Sequence, residues 1–294
     1  KLGTAPIMVF RFNEDTFGHA ATLYALPGVP HEAVGALNDV LTDIKAHNRI
    51  TTITHKSIMV YGLAESALSK MIEPWEDALP EDMHLASLPN QLPGVRLRLS
   101  VYGGSAEDHE SRMDKELAGL REILGDYIYS DEDDTLQGKI GKLLRGTGKT
   151  LSAAESCTGG EISHLITTVP GSSEYYLGSV TSYSPAVKCK VLGVAEETIA
   201  TCGIVSSEVA AAMAEGVRAL TGSTYSVATT GWADSYGDDR EPAGTVWVAV
   251  SGPTCTRTAR FNFRHDRKRN IERFASSALN ELRKLILFDL LENA

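Results

Sequence analysis

Three nucleophilic side chains fall side by side at Ser156-Cys157-Thr158, inside the run Ala154-Glu155-Ser156-Cys157-Thr158-Gly159-Gly160. The stretch Thr150–Ala154 just before it reads as a strand, and a helix is expected from about Thr158 to Thr168. Glycines at 159 and 160 let the backbone approach a ligand closely. The free N–H groups of a first helical turn can hold an anion or a developing oxyanion. Taken alone, the run reads equally well as a tight strand–helix turn with Thr158 as its N-cap.

A second cluster, Ser182-Tyr183-Ser184-Pro185-Ala186-Val187-Lys188, combines an N-cap serine with proline at the first helical position. Lys188 then lies in the first turn or so of a helix, where the dipole disfavours a cation and lowers its pKa slightly. A lysine that gives up its proton is a general base able to activate a serine. The bland alternative is a surface lysine with an exposed ammonium. A third segment, Thr230–Thr245, is a Gly- and Asp-rich loop at the end of an expected strand, where open α/β sheets bind ligands. It also fits a plain surface hairpin. The run Arg264-His265-Asp266-Arg267-Lys268-Arg269 fits a solvated charge run before a helix.

These segments need a scaffold, and the chain is long enough to supply one. It has 294 residues, 43% hydrophobic and 22% charged, an ordinary globular composition that excludes a disordered, collagenous or disulfide-stapled chain. Lys plus Arg number 28 against 38 Asp plus Glu, for a net charge of −10, which argues against nonspecific binding to nucleic acid or anionic membrane. Cys157, Cys189, Cys202 and Cys255 show no C-x-x-C spacing and no partnered histidine, so no metal site is expected, and isolated thiols suit a reducing cytoplasm. No apolar run approaches the roughly 18–20 residues needed to span a bilayer. The chain opens Lys1-Leu2-Gly3-Thr4 without Met, which reads as a processed or truncated piece.

Three regions follow along the chain. Residues 1–50 read as the end of a domain: a hairpin from Ala5–Phe10 and Ala21–Leu26, then a helix over His31–Ala46 with Val34, Leu37, Val40, Leu41 and Ile44 on one side. That is too little for an independent core. Residues 51–130 read as strand, helix, two strands, helix, short strand, the order of a ferredoxin-like or KH-like α+β module. Its Gly62-Leu63-Ala64-Glu65 turn lacks the G-x-x-G of an RNA-clamping loop, so the module is expected to be structural. The acidic run Ser130–Asp134 reads as a linker whose Asp134 or Thr135 caps a helix over Leu136–Leu144. Residues 131–294 then alternate strands and helices, which predicts a layered α/β domain.

The set A-E-S-C-T-G-G, V-P-G-S-S at Val169–Ser173, S-Y-S-x-x-x-K, L-G-V at Leu192–Val194, G-I-V-S-S-E-V at Gly203–Val209 and P-A-G-T-V-W at Pro242–Trp247 resembles the CinA family of competence/damage-inducible proteins in order and spacing over residues 135–294. Gly3–Pro6 and Leu26–Pro30 resemble the last part of that family's molybdopterin-binding-like N-terminal domain, and residues 53–130 its middle domain. The resemblance implies a C-terminal nicotinamide-nucleotide amidohydrolase, acting on nicotinamide mononucleotide without a cofactor. Ser156 is then the nucleophile, Lys188 its general base and Tyr183 a proton relay or transition-state donor. Glu155, Thr158, Gly159, Gly160, Thr230, Gly231, Ala233, Gly244, Thr245 and Arg267 are the substrate-binding candidates, Arg267 as a bidentate phosphate contact. Cys157, chemically the stronger nucleophile, is expected to point away from the site. A homodimer is implied, with no nucleic-acid or membrane partner.

One segment departs from the family pattern. Relatives carry a loop like G-I-A-G-P-x-G-G where this chain has Gly231-Trp232-Ala233-Asp234-Ser235-Tyr236-Gly237-Asp238. Asp234 and Asp238 are expected to repel a phosphate, and Trp232 to fill or reshape the pocket. The competing function class is therefore a noncatalytic nucleotide-binding or regulatory module on the same fold.

Overall fold

A computed structural model describes residues 6–48, 52–89, 94–234 and 237–292. In chain order the elements are β1 (Met8–Phe12), α1 (Glu14–Phe17), β2 (Ala21–Ala25), α2 (Pro30–His47), β3 (Ile53–Val60), α3 (Glu65–Glu76), β4 (Met83–Pro89), β5 (Val95–Tyr102), α4 (Ala106–Leu124), β6 (Ile128–Ser130) and α5 (Leu136–Leu144). They continue with β7 (Leu151–Glu155), α6 (Glu161–Thr167), β8 (Tyr176–Thr181), α7 (Pro185–Leu192), α8 (Glu196–Cys202), α9 (Ser207–Thr221), β9 (Tyr225–Gly231), β10 (Thr245–Ser251), β11 (Thr256–Asn262) and α10 (Arg267–Glu292). The chain clusters into two units, Lys1–Ile53 with Tyr102–Ala106, and Thr54–Val101 with Glu107–Ala294.

In the first unit β1 and β2 form the expected antiparallel hairpin, with Met8 opposite Ala25 and Phe12 opposite Ala21. Asp43 of α2 accepts from Arg11 at 2.6 Å and from Tyr24 at 2.7 Å, which ties the helix to the hairpin. Val40 is buried, but Met8, Phe10, Leu23, Val34, Leu37 and Leu41 remain exposed. The expected front strand from Ala5 begins just outside the described residues.

The second unit carries two sheets. The smaller one has the order β4-β5-β3-β6. Val95, Leu97, Leu99 and Val101 alternate inward along β5 and meet Leu68 and Ile72 of α3 and Met113, Leu117 and Leu120 of α4. The period-2 and period-3.6 patterns of the sequence therefore converge on one core. This α+β module is packed onto the larger layer. Met59 and Tyr129 join the apolar cluster of α5 and α10, and Tyr61 Oη lies 3.0 Å from Ser277 Oγ of α10.

The larger sheet has the order β11-β10-β9-β7-β8, with β7 parallel to both β8 and β9, and β10 antiparallel to β9 and β11. Alternation along the strands sorts side chains to two faces. Ala153, Val227 and Val248 face the cluster containing Phe274, Ala278 and Leu282 of α10 with Ile140 and Leu144 of α5. Ala154, Ala228 and Ala249 face Val209, Ala210, Met213 and Val217 of α9. The result is helix, sheet, helix. Thr135 caps α5 as the sequence predicts, its hydroxyl accepting from the Gly138 N–H at 3.1 Å.

Gly244 closes the turn into β10 with φ of 76°, and a Cβ there would sit 1.8 Å from the Phe263 carbonyl oxygen. Gly244→Ala is accordingly expected to destabilise the fold by about 2–3 kcal/mol, combining left-handed strain with a backbone clash. Thermal melting should register a fall of several degrees, and an unchanged melting temperature would contradict this account.

Candidate active site

The site forms where the parallel strands β8, β7 and β9 end together. Past the end of β7, Ser156 N–H still donates to Thr229 O at 3.1 Å, and Ser182 N–H donates to Glu155 O at 2.8 Å. The Glu155–Ser156 peptide is thus held from both neighbouring strands, at the carboxyl edge where open α/β sheets place ligands. The Ser184–Pro185 start of α7 is as read from the sequence, with Ser184 Oγ accepting from Val187 N–H. This start brings Lys188 back beneath the strand ends. Lys188 Nζ lies 2.7 Å from Ser156 Oγ and 2.5 Å from Ser182 O.

Lys188 is fully buried (0% exposed) and takes part in no ion pair among the described residues. Burial pushes its pKa down from 10.5 to about 8, against a smaller opposing pull from the Cys157 and Cys189 thiols. Desolvation, rather than the helix dipole invoked from sequence, is the main cause, and the surface-lysine alternative is overturned. A buried amine with a lowered pKa, in hydrogen-bond contact with a serine hydroxyl, is the arrangement a Ser/Lys base–nucleophile pair requires. The neighbouring Cys157 thiol is buried and pushed up to about 12 by desolvation, so it stays protonated.

The rest of the turn corrects several expectations. Glu155 is fully buried, with its carboxylate turned to the start of α6. Its carboxylate accepts from the N–H groups of Gly160 (3.0 Å), Ile162 (3.0 Å) and Ser163 (2.9 Å) and from Ser163 Oγ (2.6 Å). Helix α6 begins at Glu161 with Gly160, not Thr158, at the N-cap. Thr158 is buried, with its hydroxyl 2.8 Å from that of Thr229. Gly159 N–H donates to Ser156 O at 3.2 Å and Gly160 N–H is taken by Glu155, so neither is open to an oxyanion. The N–H groups of Cys157 and Thr158 donate to no backbone acceptor among the described residues, and of the two residues Cys157 lines the cleft.

A cleft of about 140 Å³ opens beside Ser156, walled by Cys157, Tyr183, Ile204, Val205, Thr230, Gly231, Trp232, Ala233, Asp234 and Arg267. Thr230, Gly231, Ala233, Tyr183 and Arg267 thus come together around Ser156. Thr230 supplies a wall rather than a free hydroxyl, since its Oγ1 donates to Ile204 O at 2.8 Å. Tyr183 is 61% exposed and its hydroxyl accepts from Arg267 Nη2 at 3.0 Å. It has no hydrogen bond to Ser156 or Lys188, and the structure puts it at the cleft mouth.

Gly244 and Thr245 do not reach the cleft. Gly244 N–H donates to Trp232 O at 2.9 Å, and Thr245 Oγ1 accepts from Asn262 Nδ2 at 2.9 Å, so both pin the loop instead. Asp238, expected to repel phosphate, accepts from the N–H groups of Arg240 and Glu241 at 3.0 and 2.7 Å and organises a turn. Trp232 does line the cleft, and Asp234 pairs with Arg267 at 2.9 Å.

Two supports escaped the sequence reading. Asn270, buried on α10, donates to Ala233 O at 2.9 Å and fixes the loop at the cleft wall. Glu241 accepts from Trp247 Nε1 at 2.7 Å and from Arg260 Nη2 at 2.7 Å. Trp247 and Arg260 are cross-strand partners in the β10–β11 ladder, so strand register is the signal that would have found this clamp.

Residues 133–286 match the family profile described as the CinA C-terminal domain, and residues 55–130 match the damage-inducible protein CinA KH domain. A CinA-like protein of Flavobacterium psychrophilum is 39% identical over 291 residues, covering 98% of this chain and 68% of the relative. One from Salinibacter ruber is 40% identical over 263 residues, covering 89% and 63%. The chain spans about two thirds of the length of these curated relatives. The crystal structure of a competence-damaged protein (CinA) superfamily protein from Enterobacter cloacae superposes with a TM-score of 0.51 at 30% identity, covering 54% of this chain and 96% of that one. With one profile spanning more than half of its length and a 39% identical relative aligned over 98% of it, the chain belongs to the CinA family.

Proposed function

We propose that the cleft hydrolyses the carboxamide of nicotinamide mononucleotide to nicotinate mononucleotide and ammonia. The observation that carries the reading is the 2.7 Å contact between Ser156 Oγ and a fully buried Lys188 whose pKa is pushed down to about 8. The pyridine nucleotide follows from the family resemblance of the surrounding motifs.

Neutral Lys188 takes the Ser156 proton as Oγ attacks the carboxamide carbon. The N–H groups of Cys157 and Thr158 face the developing oxyanion. The tetrahedral intermediate collapses as the Lys188 ammonium returns the proton to the leaving nitrogen, releasing ammonia and an acyl-Ser156 ester. Water, deprotonated by Lys188, then attacks that ester. Expulsion of Ser156 Oγ, which recovers the proton from Lys188, releases nicotinate mononucleotide.

A noncatalytic nucleotide-binding or regulatory role is the competing reading, suggested by the departure of the 231–238 segment from the family pattern. An ammonia-release assay with wild type, Ser156→Ala and Lys188→Met separates the two. Turnover lost in both variants supports the amidase. Calorimetric binding of nicotinamide mononucleotide by wild type without any ammonia release supports the binding module.

A further inference from the structure

Arg267 is the first residue of α10, and its guanidinium is divided between two elements at the cleft mouth. Nη1 donates to Asp234 Oδ2 at 2.9 Å and Nη2 donates to Tyr183 Oη at 3.0 Å. Tyr183 comes from the β8–α7 connection and Asp234 from the segment after β9, so one side chain ties three elements around the opening that leads to Ser156.

The backbone beneath Asp234 is anchored. Trp232 N–H donates to Thr245 O at 2.8 Å, and the Ala233 carbonyl accepts from buried Asn270 at 2.9 Å. The Asp234 carboxylate is therefore presented to Arg267 by a fixed neighbour. A guanidinium is built to take two oxygens of a phosphate or carboxylate, and here a carboxylate of the same chain occupies part of that capacity.

We propose that Asp234 is a specificity-determining residue of this cleft, an internal anion on Arg267 that an incoming phosphomonoester must displace. This inference rests on the amidase reading for its substrates. A ligand bearing a phosphate loses part of its attraction to Arg267 and meets Asp234 as a like charge. The same carboxamide without its phosphate meets neither effect. Both Asp234 and Arg267 are partly exposed, at 37% and 45% of their side chains, so the pair is weak enough for a ligand to exchange. The cleft thus discriminates less in favour of the phosphorylated nucleotide than it would without Asp234.

The test compares kcat/KM for nicotinamide mononucleotide and for its dephosphorylated riboside in wild type, Asp234→Asn, Arg267→Gln and the double variant. Asp234→Asn is expected to raise the nucleotide-to-riboside ratio by about fivefold, the scale of an exposed ion pair. Arg267→Gln should lower the ratio, and in its background the gain from Asp234→Asn should shrink to the relief of like-charge repulsion alone. An equal change for both substrates, or the same gain without Arg267, would overturn the inference. If wild type turns over neither substrate, the amidase reading fails by itself. Calorimetric titration with inorganic phosphate then decides the role of Asp234. Tightening by Asp234→Asn that depends on Arg267 supports it, and the absence of such tightening rejects it.

Discussion

Lys188→Met is expected to cut ammonia release by about a thousandfold or more while leaving the fold at least as stable at pH 7. The kinetic half follows from removing the only group among the described residues in hydrogen-bond reach of Ser156 Oγ that can accept its proton, where general-base catalysis contributes roughly 10²–10⁴. Ser156→Ala should fall at least as far, and combining the two should cost little more, because nucleophile and base act as a unit. Wild-type activity should rise with pH through about 8 as Lys188 gives up its proton.

The stability half follows from the same burial. The folded pKa of about 8 lies below the ordinary 10.5, so between those values the unfolded chain binds more protons than the folded one. Below pH 8 both states are protonated and the folded state carries the whole penalty, about 3 kcal/mol. The penalty fades as pH rises from 8 towards 10.5, and wild-type stability should rise over that window. Methionine fills similar volume without the charge, and against that gain stands the Ser182 carbonyl left unpaired, a loss of about 1 kcal/mol. Melting curves from pH 7 to 10 check the balance. The variant should be level with or above wild type at pH 7, and the gap should close towards pH 10. A variant less stable at pH 7, or a pH-independent wild type, would count against the assigned protonation.

Residues whose local sequence dictates their place were legible, and residues placed by distant partners were not. Ser184-Pro185 marks a helix start wherever it is found, so the position of Lys188 on α7 could be read directly. Its burial could not, because it depends on β7, β8 and α7 meeting. The alternation of β5 and the Thr135 cap are likewise local and came out as expected. The loop between β9 and β10 was misread for the opposite reason. Gly244 and Thr245 look like ligand contacts and Asp238 like a charge that repels phosphate, yet their partners are backbone groups and Asn262 supplied by the hairpin itself. Asn270 sits 37 positions from the carbonyl it holds, and no sequence pattern links the two.

Glu155 shows the same limit at the centre of the site, and it carries the second large effect. Glu155→Ala is expected to destabilise the protein by about 3–5 kcal/mol, lowering the melting temperature by roughly 10 °C. The substitution leaves three backbone N–H groups at the start of α6 without their buried acceptor and takes one of two acceptors from the Ser163 hydroxyl. Glu155→Gln should be nearly as harmful, since its NH₂ would face N–H donors and its single oxygen cannot accept all four bonds. Activity should fall with stability, because the carboxylate fixes α6 against β7 and the turn between them carries Ser156 and the N–H groups of Cys157 and Thr158. Hydrogen exchange separates this from a substrate contact. A positioning role predicts faster exchange at Gly160, Ile162 and Ser163 in the ligand-free variant, whereas a substrate contact predicts a raised KM with the melting temperature and those amides unchanged. A buried carboxylate that accepts four hydrogen bonds from one helix start has no free lone pair aimed at the cleft, so the first outcome is the one its geometry requires.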